Sequence, residues 1–113
     1  MHELSIAQAV VELVEEEAKK ADAKRVVSLT LSLGELSGVV EDQLRFCFPI
    51  VAEGTLLAGA KLEIEPVDGS GYCLHCEEAF HLTGLLEPCP RCGSLTSDIR
   101  SGQDLLVASI EVE

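Results

Sequence analysis

Apolar residues near the start of the chain recur every three or four positions, the spacing of one helix face. They are Leu4, Ala7, Val11, Val14 and Ala18, with Val10 and Leu13 widening the stripe. The pattern predicts a first helix from Leu4 to about Lys20, ending in two lysines where cations suit the negative end of the helix dipole. The glutamates at 12 and 15–17 are interpreted as a solvated face of this helix.

Three later segments alternate apolar and polar residues, as strands with one buried face do. The apolar sets are Val27, Leu29, Leu31 and Leu33 in the first, Leu62 and Ile64 in the second, and Leu106, Ala108, Ile110 and Val112 in the third. Between the first two strands, Glu41 and Asp42 begin a second helix that runs to about Glu53. Pro49 is expected to bend this helix or to lie near a break.

The order of these elements predicts an α+β fold, in which two helices lie on a small three-stranded sheet. A four-cysteine module, similar to a zinc ribbon, is inserted between the second and third strands, and the last strand returns to the first sheet. We expect one domain made of residues 1–70 plus 97–113, a linker at 67–71, and a metal-binding module at 71–96.

The charge balance excludes one large class of partner. Lysine and arginine number 8 against 20 aspartates and glutamates, a formal net charge of -12. Because such a surface repels phosphate backbones, we expect no nucleic-acid partner. The apolar runs are too short to cross a bilayer, and no charged-then-apolar leader opens the sequence. We therefore expect a cytoplasmic protein without a membrane partner.

Four of the five cysteines form two C-x-x-C pairs separated by 12 residues: Cys73, Cys76, Cys89 and Cys92. Two thiolates three positions apart can bind one ion from a tight turn, and a second such turn completes a tetrahedron of soft ligands. Zinc is favoured, although C-P-x-C-G turns also hold iron in rubredoxin-like sites. The fifth, Cys47, stands between two phenylalanines and is interpreted as a small buried hydrophobic residue.

His2 is the other candidate ligand. A bulky second residue disfavours removal of the initiator methionine, which leaves the Met1 amine free. That amine, the His2 amide nitrogen and the His2 imidazole can form adjoining chelate rings in one plane. Planar nitrogen donors suit Ni(II) or Cu(II), and Glu3 has an amide and a carboxylate to add.

Three landmarks in this order resemble the HypA/HybF family: Met1-His2-Glu3-Leu4-Ser5, then Leu33-Gly34-Glu35-Leu36-Ser37-Gly38, then the paired C-x-x-C motifs. The resemblance covers essentially the whole chain. It implies a nickel-insertion accessory protein for [NiFe]-hydrogenase maturation, which works with a GTPase partner to load nickel into the hydrogenase large subunit. By position, it places Ni(II) on His2, with Glu3 as neighbour, and structural Zn(II) on the four cysteines.

Two features of the family do not transfer cleanly. An acidic residue lies after the Gly-Glu turn in the family, and here Glu41 and Asp42 both stand near that place. Some relatives add a remote histidine from the zinc module, but neither His75 nor His81 has an obvious match. These four residues stay outside the predicted ligand set, and a role in nickel supply to urease stays open.

Three other functions agree less well with the sequence. A zinc-ribbon adaptor for protein or nucleic acid is the main alternative, and a rubredoxin-like redox protein is the second. An enzyme is least favoured, because the sequence has no catalytic triad order, no paired-carboxylate motif and no Gly-rich phosphate loop. A four-thiolate site is also closed, whereas catalytic zinc keeps an open position. We predict a binding protein that is not an enzyme.

Overall fold

The structure, a computed structural model, describes residues 2–85, 87–95 and 97–113. It contains the helices α1 (Glu3–Lys20) and α2 (Glu41–Ala52). The strands are β1 (Val26–Gly34), β2 (Lys61–Val67), β3 (Ser70–Cys73), β4 (Glu78–His81), β5 (Ser97–Ser101) and β6 (Leu105–Val112). Two three-stranded sheets result, with strand orders β2-β1-β6 and β4-β3-β5.

The first sheet confirms the predicted return of the last strand. Here β6 lies beside β1, the central strand, although 70 residues of chain separate their nearest ends in sequence. Main-chain hydrogen bonds join the start of β1 to the end of β6, since Lys24 N–H donates to the carbonyl of Glu113 over 2.7 Å and Glu113 N–H donates to that of Arg25 over 3.0 Å. The chain therefore closes its fold by pairing its carboxyl-terminal strand with its first one.

The chain forms two compact units. The first unit comprises Met1–Leu31, Val39–Glu65 and Leu106–Glu113, and the second comprises Ser32–Gly38 and Pro66–Leu105. The predicted metal module, 71–96, lies within the second unit but is shorter than it. Two observations account for the difference: β5 pairs with β3, and the turn after β1 is hydrogen-bonded to the loop after β2, with Glu35 N–H donating to the carbonyl of Val67 over 2.9 Å.

The core of the first unit includes the contact between α1 and α2 and the buried residues at the start of β1. Its buried side chains are Ala7, Val10, Val11, Val14, Ala18, Val26, Leu29, Leu31, Leu44, Phe48, Ala52 and Leu57. In α2, Leu44, Phe48 and Ala52 are four positions apart and make one apolar seam. Pro49 lies inside α2 on its exposed side, and the helix continues through it to Ala52.

Several sequence expectations about burial were wrong in detail. Leu4 and Leu13 are about half exposed, because the inner face of α1 is centred on Val10 and Val14. Leu106 is 58% exposed, and Leu105 and Val107 are half-buried, one position out of phase with the prediction, whereas Ile110 is half-buried in agreement with it. Cys47 is only half-buried.

The predicted linker at 67–71 is a structured crossing of chain segments. A Cβ atom on Gly69 would lie 2.2 Å from the carbonyl oxygen of Leu82, and one on Gly102 would lie 2.6 Å from the Cα of Gly69. Gly102 also has a φ of 91°, in the left-handed region where side chains are disfavoured. Glycine is required here because two backbones approach more closely than any side chain permits.

Replacing Gly102 with alanine should therefore destabilise the second unit by at least about 2 kcal/mol, from overpacking added to left-handed strain. Gly38→Ala is the matched control: its φ is 79°, but a Cβ there meets nothing within 4 Å, so only the strain of about 1 kcal/mol is expected. Tyr72, the single tyrosine of a chain without tryptophan, reports unfolding of this unit by fluorescence in urea. Equal losses in the two variants would contradict the crowding.

Candidate metal centre

The two C-x-x-C pairs adopt the same local turn. Glu77 N–H donates to the carbonyl of Cys73, and Gly93 N–H donates to that of Cys89, each over 2.8 Å. The residue after each pair has a left-handed backbone, with φ of 56° at Glu77 and 77° at Gly93. Gly93 adopts this conformation without a steric cost, whereas Glu77 pays one. Closing the turn in this way directs both thiols of a pair to the same side.

The four thiols converge on one point. Their Sγ atoms lie within 4.8 Å of one another, with 3.7 Å between Cys73 and Cys92 and 4.0 Å between Cys76 and Cys89. Four sulfurs around a tetrahedral ion with bonds of about 2.3 Å are separated by about 3.8 Å. The donor set therefore fits a tetrahedral thiophilic metal ion, and the structure brings together the four cysteines that the sequence predicted.

Strand pairing and burial hold this cluster in place. Cys73 ends the central strand β3 and is paired with Glu78 of β4 on one side and Ser97 of β5 on the other. Cys73 and Cys89 are buried, Cys76 is half-buried and Cys92 is exposed. Arg91, inside the second turn, makes an ion pair with Glu78. The site is thus anchored at its first cysteine and reaches solvent at its last.

The thiols are electrostatically unequal. Main-chain N–H groups of Cys92 and Arg91 lower the pKa of Cys89 to about 7. Hydrogen bonding to Cys92, then burial, raises the pKa of Cys76 to about 12. Cys89 therefore ionises more readily than Cys76, whose ionisation is favoured by a nearby cation. The main-chain N–H of Cys76 donates to the Cys73 sulfur over 3.4 Å.

His2, unlike the partly buried cysteines, lies on the surface at the start of α1. Its side chain is exposed, and its carbonyl accepts the first hydrogen bond of α1, from Ile6 N–H over 3.0 Å. The backbone of His2 is therefore fixed to a helix although the residue is second in the chain. Met1, whose amine completes the predicted chelate, lies outside the described residues.

Glu3 has a structural function that sequence reasoning missed. It is 8% exposed, and its carboxylate accepts a hydrogen bond from Val40 N–H over 3.1 Å. That bond lowers the pKa of Glu3. Val40 precedes α2 and has no side-chain cap of its own. Helical spacing alone gave no signal for this partner, because 37 residues separate the two in sequence.

The remaining candidate residues are dispersed. At the start of α2, Glu41 accepts a hydrogen bond from Arg45 over 3.0 Å, while Asp42 is exposed. His75 is exposed in the first cysteine turn. Cys47, on α2, belongs to the first unit and not to the four-thiol cluster.

His81 belongs to a cluster that the sequence did not suggest. Its Nε2 lies 2.7 Å from the Glu35 carboxylate, which also accepts a hydrogen bond from Gly69 N–H over 2.9 Å. The carboxylate of Asp68 is close enough to both for all three to meet one ion. These residues are 13 to 46 positions apart, and only the fold, which brings the turn after β1, the loop after β2 and the end of β4 together, reveals the group.

Comparison with known proteins agrees with this architecture. The family model described as "Hydrogenase/urease nickel incorporation, metallochaperone, hypA" matches residues 1–112. The chain belongs to the HypA family. It is 47% identical over 113 residues to the hydrogenase maturation factor HypA of Geobacter metallireducens and 41% identical to that of Azotobacter vinelandii, covering the whole of each protein.

Solved structures of this family share the fold. The solution structure of the nickel metallochaperone HypA from Helicobacter pylori matches with a TM-score of 0.70 at 26% identity, over 99% of this chain and 97% of that one. A second solution structure of a HypA protein matches with a TM-score of 0.71. The predicted α+β fold and the resemblance stated from the sequence motifs are both confirmed.

Membership assigns the chain to a class of maturation factors and metallochaperones rather than to catalytic enzymes. Within the described residues, no helix combines the length and apolar character that a membrane span needs.

Metal content should separate the cluster cysteines from Cys47. Cys76→Ser should lose most of the bound metal, since three thiolates leave the tetrahedron open and a serine oxygen is a poor substitute. Cys47→Ser should retain a full equivalent. Zinc and iron are measured together by mass spectrometry of protein purified without chelators, and full metal content in Cys76→Ser would refute four-thiol binding.

Acid titration should reveal the His81–Glu35 pair. Glu35, with Asp68 and Glu87 adding charge, raises the pKa of His81 above its ordinary 6.5, while Gly69 N–H and then His81 lower that of Glu35 below 4.5. Stability from His81 is complete below pH 6.5 and is lost as pH rises through its raised pKa. Stability from Glu35 is present above pH 4.5 and is lost as pH falls through its lowered pKa.

In protein without added divalent ions, the NMR-measured pKa of the His81 ring should therefore exceed 6.5 and fall in Glu35→Gln. Glu53→Gln, which removes the same charge at the end of α2, is the control. An equal shift in both variants would show that overall charge, and not the hydrogen-bonded pair, sets the pKa.

Proposed function

We propose that this chain is a nickel metallochaperone that binds Ni(II) at its amino terminus through His2 and helps to insert it into [NiFe]-hydrogenase. The observation that supports this most directly is an exposed imidazole on a residue whose carbonyl is already bonded into α1. Family membership over 112 of the 113 residues supplies the nickel and the maturation role.

Position 2 offers nitrogen donors at a defined place. The first N–H groups of an α-helix have no carbonyl partner within the helix. The Met1 amine, the His2 amide nitrogen and the His2 imidazole therefore compose the proposed planar set, which suits Ni(II). A nitrogen set on the surface binds less tightly than four thiolates, and this allows the ion to be passed on.

Glu3 takes part through its backbone in this proposal. Its carboxylate is buried and bonded to Val40 N–H, so coordination by that carboxylate would break a hydrogen bond inside the first unit. The consequence is a fixed distance between the amino terminus and the start of α2. Glu41 and Asp42 follow Val40 directly and place negative charge in that region, which favours a divalent cation.

For the four-cysteine site we propose Zn(II) in a structural role. Its sulfur separations fit a closed tetrahedron, and a closed site leaves no position for a substrate. Zinc lacks redox chemistry, so such a site stabilises the second unit without reacting. Iron in the same site would absorb visible light, and the metal analysis above distinguishes the two.

The proposed partners are a GTPase that acts in nickel insertion and the large subunit of [NiFe]-hydrogenase, in the cytoplasm. The maturation function of the family supports partners in that pathway, and the resemblance stated from the sequence motifs implies these two. Partners that are neither nucleic acid nor membrane agree with the net charge of -12. Supply of nickel to urease belongs to the family description, and the same site would serve it.

A nickel titration of zinc-loaded protein tests the terminal site. The native chain is compared with one that carries a single extra amino-terminal residue, which moves the free amine away from His2 but keeps every side chain. We expect one equivalent to bind the native chain and at least about tenfold weaker binding in the extended chain. His2→Gln should show the same loss, with zinc content unchanged.

His75→Gln is the matched control, since it removes an exposed imidazole elsewhere and should leave the first equivalent intact. Equal nickel affinity in the native and extended chains would show that side chains, and not the terminal amine, bind the nickel ion. Absence of nickel binding in both would favour the alternative function, a zinc-ribbon adaptor without a nickel cargo.

A further inference from the structure

A second group of ligand-type side chains lies apart from both the cysteines and the amino terminus. Glu35, Asp68 and His81 each offer one donor atom, and all three atoms lie within 4.8 Å of one another. The group belongs wholly to the second unit. None of the functions proposed above uses it.

Hydrogen bonds to main-chain carbonyl groups fix all three positions. Glu35 N–H donates to the carbonyl of Val67 over 2.9 Å, and Leu82 N–H, next to His81, donates to that of Gly69 over 2.9 Å. The hydroxyl of Ser101 donates to the carbonyl of Asp68 over 3.0 Å. The three side chains therefore project from a backbone that is already ordered, which is the condition for a preorganised site.

The separations fit one ion with small adjustments. Donors with bonds of about 2.1 Å to an octahedral ion are about 3.0 Å apart when adjacent and about 4.2 Å apart when opposite. Nε2 of His81 and the carboxylate of Glu35 are 2.7 Å apart, and no two of the three donor atoms are more than 4.8 Å apart. An ion would replace the proton that this pair shares, while Gly69 N–H still orients the carboxylate, as outer hydrogen bonds do at metal sites.

Charge and access also favour a cation. Glu87 adds its field to those of Glu35 and Asp68 around His81. The side chains of His81 and Glu35 are 58% and 31% exposed, which leaves space for water ligands. One imidazole with two carboxylates suits divalent first-row ions, and such a set holds them less tightly than four thiolates do.

We propose that Glu35, Asp68 and His81 form a second, low-affinity site for a divalent first-row transition ion such as Ni(II). The site is independent of the amino-terminal chelate. Its ion is octahedral and carries water in the remaining positions, so it exchanges readily with solvent.

The geometry of the ion separates this site from the terminal one by experiment. Octahedral Ni(II) is paramagnetic and broadens nearby NMR signals, whereas square-planar Ni(II) is diamagnetic. The probe is therefore Ni(II), added to zinc-loaded protein with the one-residue amino-terminal extension, which removes the terminal chelate. We expect selective broadening of the amide signals of Glu35, Asp68, Gly69 and His81.

His81→Gln and Asp68→Asn should each weaken this binding at least tenfold. The measure is the nickel concentration that gives half of the maximal broadening. Asp68→Asn removes a donor without disturbing the His81–Glu35 pair, and so it tests the site even if His81→Gln perturbs the fold. His75→Gln, which removes the other exposed histidine of the second unit, should leave the broadening unchanged.

Two results would overturn the site: no selective broadening up to millimolar Ni(II), or broadening in His81→Gln and Asp68→Asn at the same nickel concentration as in the extended chain without these substitutions. Glu35 and His81 would then form an ion pair only. Because the terminal chelate is tested by comparing native with extended chains, and this site within the extended chain, each proposal can fail without the other.

Discussion

Convergence of four thiols on one point is the constraint on which the second unit depends. Among the residues that the structure describes there, the buried apolar side chains are mainly Leu33 and Leu82, together with the cysteines Cys73 and Cys89 of the cluster. Four sulfurs within 4.8 Å repel one another once they ionise, so the cluster persists in that form only around a positive ion. Main-chain N–H groups lower the pKa of Cys89, whereas hydrogen bonding to Cys92 and burial raise the pKa of Cys76.

The metal-binding chemistries of the chain differ in ways that match separate roles. The thiolate site is closed, partly buried and anchored at the central strand of its sheet, properties that favour a permanent ion. His2 and the Glu35–Asp68–His81 group present nitrogen and oxygen donors to solvent, properties that favour exchange. Such unlike donor sets suit the proposed function, in which one metal ion is retained and another is released.

Sequence reasoning was most successful where information is local. A helical period located α1, the acidic residues Glu41 and Asp42 located the start of α2, and alternating periods located the three strands of the first sheet. The spacing of the paired cysteines predicted the cluster of Cys73, Cys76, Cys89 and Cys92. It did not find β3, β4 and β5, which are four or five residues long, too short for a periodic signal. The Glu3–Val40 bond and the cluster around His81 join residues far apart in sequence, and no spacing rule reports such pairs.

The glycines at 69 and 102 show why the region between the predicted domains could not be interpreted from composition. A Gly/Ser/Asp-rich segment is typical of a flexible linker, yet each of these glycines permits a backbone contact that a Cβ would prevent. The same composition therefore arises from two opposite requirements: conformational freedom of the chain, or close approach of two backbone segments. In this molecule the second applies, and the ordered crossing that results fixes the positions of Asp68 and, through Gly69, of Glu35. The segment 67–71, which its composition predicts to be a flexible linker, is thus ordered and positions two residues of the Glu35–Asp68–His81 group.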